Sequence, residues 1–175
     1  AWGLGPARGE LHVLLAPPKR GKSWWLVNVG KRALLARHKV VHITLELSEA
    51  QVIQRYLQAL FSLMRHKARV DVSKIESDEL GRFVRFERGE IVDRHAFSDP
   101  KSKKEIEGKL DRLRFRENLL VKGFPSGMLT VSGLRAYLDA LERVHNFIPD
   151  TIIVDYPDLM KVDRRQLRVE LGGIF

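Results

Sequence analysis

The chain has no cysteine among its 175 residues, which excludes disulfides and thiolate metal sites and agrees with a reducing cytoplasm. It has no run approaching the ~20 apolar residues of a membrane span. Its first residues hold no apolar signal core, so no membrane partner is expected. Internal repeats and low-complexity tracts are also missing. Acidic residues are in the minority, 22 Asp and Glu against 31 Lys and Arg, and the net charge of +9 favours an anionic partner, nucleic acid first. What remains, 44% hydrophobic and 30% charged residues, is the composition of an ordinary globular protein, and the length suggests one domain over 1–175.

The most informative segment is Ala16-Pro17-Pro18-Lys19-Arg20-Gly21-Lys22-Ser23. An apolar run (Leu11, Val13, Leu14, Leu15) precedes it and a helical pattern follows, so the spacing predicts strand, loop and helix. Such a loop turns backbone N–H groups toward a phosphate, and the helix adds the positive end of its dipole. In that reading Gly21 lets the backbone approach the phosphates, Lys22 reaches the outer ones and the Ser23 hydroxyl ligates Mg²⁺. The motif's first glycine is Ala16 here. The plainer alternative is a tight strand-to-helix turn that happens to contain Gly-Lys-Ser. Trp24 and Trp25 follow directly; they offer a ring to a base, or pack in the core, where at least one is expected.

Further along, strands alternate with helices: a strand near 11–16, a helix over 22–37, a strand over 39–45, a helix from the Ser48-x-x-Gln51 capping box to about 65, a helix from Ser102 to about Arg114, a strand at 119–125, a helix from Thr130 or Ser132 to Phe147 and a strand at 151–155. A helical pattern also starts near Arg164, whereas 68–115 is otherwise unassigned, helical or irregular. The alternation argues for an α/β fold with a mostly parallel sheet flanked by helices.

Two carboxylates stand at strand ends. Asp155 closes the 151–155 strand, where P-loop hydrolases hold a carboxylate that orients Mg²⁺, usually through water; alone, it is equally a turn cap. Glu46 follows the 39–45 strand at the carboxyl edge where α/β sheets collect ligands, a position for a water-activating base. An acid near a helix start is also favoured by the dipole, a role that Glu49 fits better. Arg55, two turns into the next helix, is in reach of a nucleotide or a neighbouring subunit, or is simply a solvated or ion-paired arginine.

As a set these residues resemble the RecA-like motor domain of DnaB-type replicative helicases. The resemblance rests on Gly9-Glu10-Leu11, the Ala-initiated P-loop ending Gly21-Lys22-Ser23, Thr44-Leu45-Glu46-Leu47-Ser48 with Gln51 and Arg55, Leu129-Thr130-Val131, and Ile153-Val154-Asp155-Tyr156-Pro157-Asp158-Leu159-Met160. It spans about residues 3–62 and 119–173 and leaves the middle third unmatched. It implies a RecA-like P-loop NTPase, incomplete at the C-terminal end, from a hexameric ATPase that translocates on single-stranded DNA in a bacterial cytoplasm, as a bacterial or a phage protein. The cofactors implied are ATP and Mg²⁺. Pro18, Lys19, Arg20, Gly21, Lys22, Ser23, Trp24 and Arg55 would bind nucleotide, Ser23 and Asp155 would hold the metal, and Glu46 would be catalytic. The family's sheet carries a further strand between the P-loop strand and the Asp155 strand, expected beyond residue 175. Alternatives left open are another RecA-like ATPase with a recombination or regulatory role, and a nucleotide-binding assembly module without hydrolysis.

Overall fold

The computed structural model describes residues 9–61, 72–77, 83–89 and 100–161. In chain order the elements are α1 (Lys22–Leu35), β1 (Val40–Thr44), α2 (Glu49–Phe61), β2 (Val72–Ser77), β3 (Phe83–Gly89), α3 (Pro100–Arg112), α4 (Phe115–Asn118), β4 (Leu119–Gly123), α5 (Val131–His145) and β5 (Thr151–Asp155), the last followed by a 3₁₀ turn at Pro157–Leu159. They divide into two compact units, one of residues 1–56 with 110–175 and one of Leu57–Lys109.

The larger unit is built on a parallel sheet in the order β4-β1-β5. β1 is buried at every position, and its near-continuous apolar run is the pattern of a strand covered on both faces. Val41, Ile43 and Leu45 enter a core with Leu134 and Leu141 of α5, Leu129 and Met160. His42, two residues from Thr44 on the alternate face, meets Tyr56 of α2, and α1 packs against β1 and β5. A parallel sheet with helices on its faces is the α/β arrangement of RecA-like folds.

Local chemistry fixes the element ends. Ser48 and Gln51 close the capping box reciprocally: Ser48 N–H donates to Gln51 Oε1 (3.0 Å) and Gln51 N–H to Ser48 Oγ (3.3 Å). Thr130 caps α5 by accepting from Gly133 N–H at 3.0 Å. α1 ends with Arg37 in the left-handed region, its N–H on the Leu34 carbonyl and His38 N–H on that of Ala33, a Schellman closure that turns the chain into β1.

The strand expected at 11–16 is the main departure. Residues 10–16 carry no regular structure, and Leu11, Val13 and Leu15 are exposed, Leu15 at 87%. No strand of the described residues pairs with this segment, so the apolar run has no ladder to join. Both tryptophans also depart from expectation: Trp24 is 41% exposed and Trp25 57%, so neither is a core residue.

In the second unit, β2 and β3 pair antiparallel, with Lys74 opposite Glu87, Glu76 opposite Arg85 and an irregularity at Glu76/Ser77. The unassigned 68–115 stretch thus contains this hairpin and α3. The helical pattern from Arg164 lies outside the described residues.

One close approach locks the α1–α2–β1 layer. A Cβ on Gly30 of α1 would overlap the Tyr56 hydroxyl and lie 2.9 Å from Tyr56 Cζ. Tyr56 is fully buried, its hydroxyl shares a 3.0 Å hydrogen bond with His42 Nδ1, and its ring meets Phe115 edge-on. Alanine gains about 1 kcal/mol of helix propensity, whereas overpacking costs about 1–3 kcal/mol. Gly30→Ala should therefore lower stability by up to about 2 kcal/mol in thermal unfolding. Adding Tyr56→Phe, which deletes the overlapping oxygen, should recover part of that loss; an unchanged midpoint in the single variant would mean that Tyr56 yields freely.

His42 supplies a pH signature. Burial, with the charge of Arg55 second, lowers its pKa from 6.5 to about 4. The folded imidazole therefore stays neutral where the unfolded one takes a proton, so stability is full above pH 6.5 and declines as pH falls toward 4. The whole decline is about 3 kcal/mol. Denaturant titrations across that window should show the slope in the native protein and a reduced slope in His42→Leu.

Candidate functional site

The site gathers where α1, β1 and β5 meet. Lys19 and Gly21 both adopt left-handed backbone conformations (φ 60° and 86°) and coil the chain just ahead of α1. Gly21 is the residue before the helix, and only glycine takes that conformation at no steric cost. No side chain caps this end of α1, and its first turn has no acidic residue. The first-turn N–H groups and the dipole's positive end are left for an external anion. Pro18, Lys19 and Arg20 are exposed on the loop; Lys22 and Ser23 are half-buried in the first helical turn.

β5 brings the second component. The register sets Asp155 beside Thr44 and Ile153 beside His42, so Asp155 lies on the sheet face that carries His42, toward α2. α1 also packs against β5. Asp155 is only 1% exposed, and neither carboxylate oxygen has a hydrogen-bond partner. Buried carboxylates are normally paired or bound to metal. A carboxylate of this kind fits a divalent cation as its missing partner.

Glu46 is set by backbone. Leu45 N–H donates to the Asp155 carbonyl at 2.9 Å, extending the β1–β5 pairing one residue past β1. Thr44 Oγ1 accepts from Leu47 N–H (3.0 Å) and donates to the Leu47 carbonyl (2.9 Å), closing the turn that presents Glu46. Glu46 is exposed at the same carboxyl edge as Asp155. Glu49 does the structural work expected of an acid in the first turn of α2: its Oε1 accepts from Gly123 N–H at 2.9 Å and lies 3.6 Å from Lys122 Nζ.

Arg55 of α2 lies over the Trp24 ring, 5.4 Å from its centroid, which joins two of the candidate nucleotide residues across α1 and α2. Asp158 is exposed in the 3₁₀ turn. Tyr156, quoted in the sequence only as part of the resemblance, carries the unexpected contact: Lys22 Nζ sits 4.9 Å from its ring centroid. Its position directly after Asp155 was the only available signal. No helix of the described residues is long and apolar enough to cross a membrane.

Fold and site together define a RecA-like α/β unit with an uncapped, glycine-initiated helix end next to a buried strand-end carboxylate. Over 160 residues, 90% of its length, the chain is 29% identical to the DnaB-like replicative helicase of Enterobacteria phage T4. It spans 28% of that protein's length. No family model matches.

A buried carboxylate without partners costs stability. Asp155→Asn keeps the shape and removes the charge, so without nucleotide and divalent metal it should melt higher. The rise should be about 2–4 °C for each ~1 kcal/mol relieved. Calorimetry in chelator checks this; a lower melting point would mean that the carboxylate has a stabilising partner.

Proposed function

We propose that this chain is the ATP-binding and hydrolysing motor segment of a DnaB-like DNA helicase acting in replication. The observation that carries the reading is the approach of Lys22, in the first turn of α1 after Gly21, to Tyr156, which directly follows β5 and its buried, unpartnered Asp155. The 29% identity to a phage replicative helicase supports the same reading.

In this reading the loop 18–21 and the first turn of α1 cradle the phosphates, and Lys22 holds the outer ones. Ser23 and Asp155 would hold Mg²⁺, which when bound would neutralise phosphate charge. Glu46 orients and deprotonates the attacking water. Arg55, carried over Trp24, lies beside the nucleotide. Single-stranded DNA is the proposed polymer partner, in keeping with the net charge of +9. The assembly is proposed to be a homo-oligomer, a hexamer by the resemblance.

Two substitutions in the full-length protein separate binding from chemistry. Lys22→Ala should greatly weaken binding of a fluorescent ATP analogue, and equal affinity in variant and native protein would remove the site assignment. Glu46→Gln should keep that affinity while turnover falls by ~10²–10⁴. Undiminished turnover would pass the role of base to another carboxylate.

A further inference from the structure

We infer that Tyr156 is a positioning residue for Lys22: its ring holds the ammonium group close to the loop at the start of α1, ready for an incoming phosphate. The inference rests on the nucleotide-site reading above and deepens it.

Three observations point this way. Lys22 Nζ lies 4.9 Å from the Tyr156 ring centroid, well inside the range of a cation–π contact. The neighbouring Asp155 carboxylate is buried, yet neither oxygen accepts a hydrogen bond, from Lys22 or from any other group. The backbone that carries the ring is also firmly held. Asp155 just before it takes the Leu45 N–H on its carbonyl (2.9 Å), the Tyr156 carbonyl accepts from Leu159 N–H (3.2 Å), and the Leu159 carbonyl accepts from Gly127 N–H (2.7 Å). Tyr156 is thus fixed between β5 and the 3₁₀ turn.

The chemistry explains why a ring suits this place. An ion pair of Lys22 with Asp155 would be the alternative, and a buried ion pair is costly to break once formed. Such a pair would occupy the phosphate-binding cation and the metal-binding anion at once. A neutral aromatic face holds the ammonium with a much weaker attraction, which phosphate oxygens readily outcompete. Lys22 stays charged and close to the loop, and Asp155 stays open to a metal. With the ring gone, Lys22 loses that seat, and nucleotide binding must itself order the side chain.

The test titrates the full-length protein with a fluorescent ATP analogue in Mg²⁺. Tyr156→Phe keeps the ring and should bind as the native protein does. Tyr156→Leu should bind about 3- to 10-fold more weakly. Tyr156→Leu combined with Lys22→Ala should bind no more weakly than Lys22→Ala alone, because the ring acts only through the lysine. Native or tighter affinity in Tyr156→Leu overturns the inference, as does equal weakening in Tyr156→Phe. If Lys22→Ala itself binds like the native protein, the nucleotide-site reading fails instead.

A second measurement needs no leucine variant. In lysine-labelled native protein, the Lys22 ε-methylene resonance, assigned by its loss in Lys22→Ala, should be shifted upfield by the ring. It should move back when Mg²⁺-ATP is added. A resonance at the ordinary lysine position before nucleotide overturns the inference as well.

Discussion

Burial of β1 on both faces is the constraint from which the geometry of this sheet edge follows. A strand with no exposed position cannot slip by one residue without turning one packed set of side chains into the other's layer. Val41, Ile43 and Leu45 are committed to the α5 side, and His42 to Tyr56. That fixes Thr44 opposite both Asp155 and Gly123, and all three strands end at one level. The proposed base, the proposed metal ligand and the first turn of α2 follow from that common ending. Glu49 reinforces it from outside by taking the Gly123 N–H, which ties the end of β4 to the start of α2.

The two strand-end acids have opposite environments. Asp155 is enclosed, with no partner for either oxygen, while Glu46 is exposed on a turn held by the Thr44 hydroxyl. A buried group without partners is a destabilising feature that a fold keeps where a ligand completes it. An exposed acid on a short, hydrogen-bonded turn is held by backbone and still reaches water. The contrast matches the division of labour proposed for the pair, metal ligand and water activator. It also separates both from Glu49, whose hydrogen bond and ion pair give it a structural role.

Much of this was legible in the chain. The ends of α1, β1, α5 and β5 fall within about two residues of their sequence expectations, because caps and apolar spacing are local signals: Ser48 with Gln51, Thr130 with Gly133, and the β-branched run of β1. The hairpin β2–β3 was not legible, since charges at Lys74, Glu76, Arg85, Glu87 and Arg88 mask its alternation and its pairing is set by register. The segment 10–16 misled for the opposite reason: its apolar pattern is that of a strand, but strand formation requires a neighbour, which no spacing within the segment reveals. Lys22 over Tyr156 and Gly30 against Tyr56 were hidden for a related reason, being meetings of residues far apart in the chain.

Arg55 links the two halves of the α1–α2–β1 layer electrostatically. Its guanidinium covers Trp24 at the start of α1, and its charge is the second cause, after burial, of the lowered His42 pKa. An anion bound against Arg55 would offset that charge and ease protonation of His42, while the larger effect, burial, would be unchanged. Burial, the larger cause, is unchanged by the anion and continues to oppose protonation of the imidazole. The layer behind the proposed phosphate site is thereby kept free of a buried cation, and Asp155 is the only buried acidic side chain among the described residues.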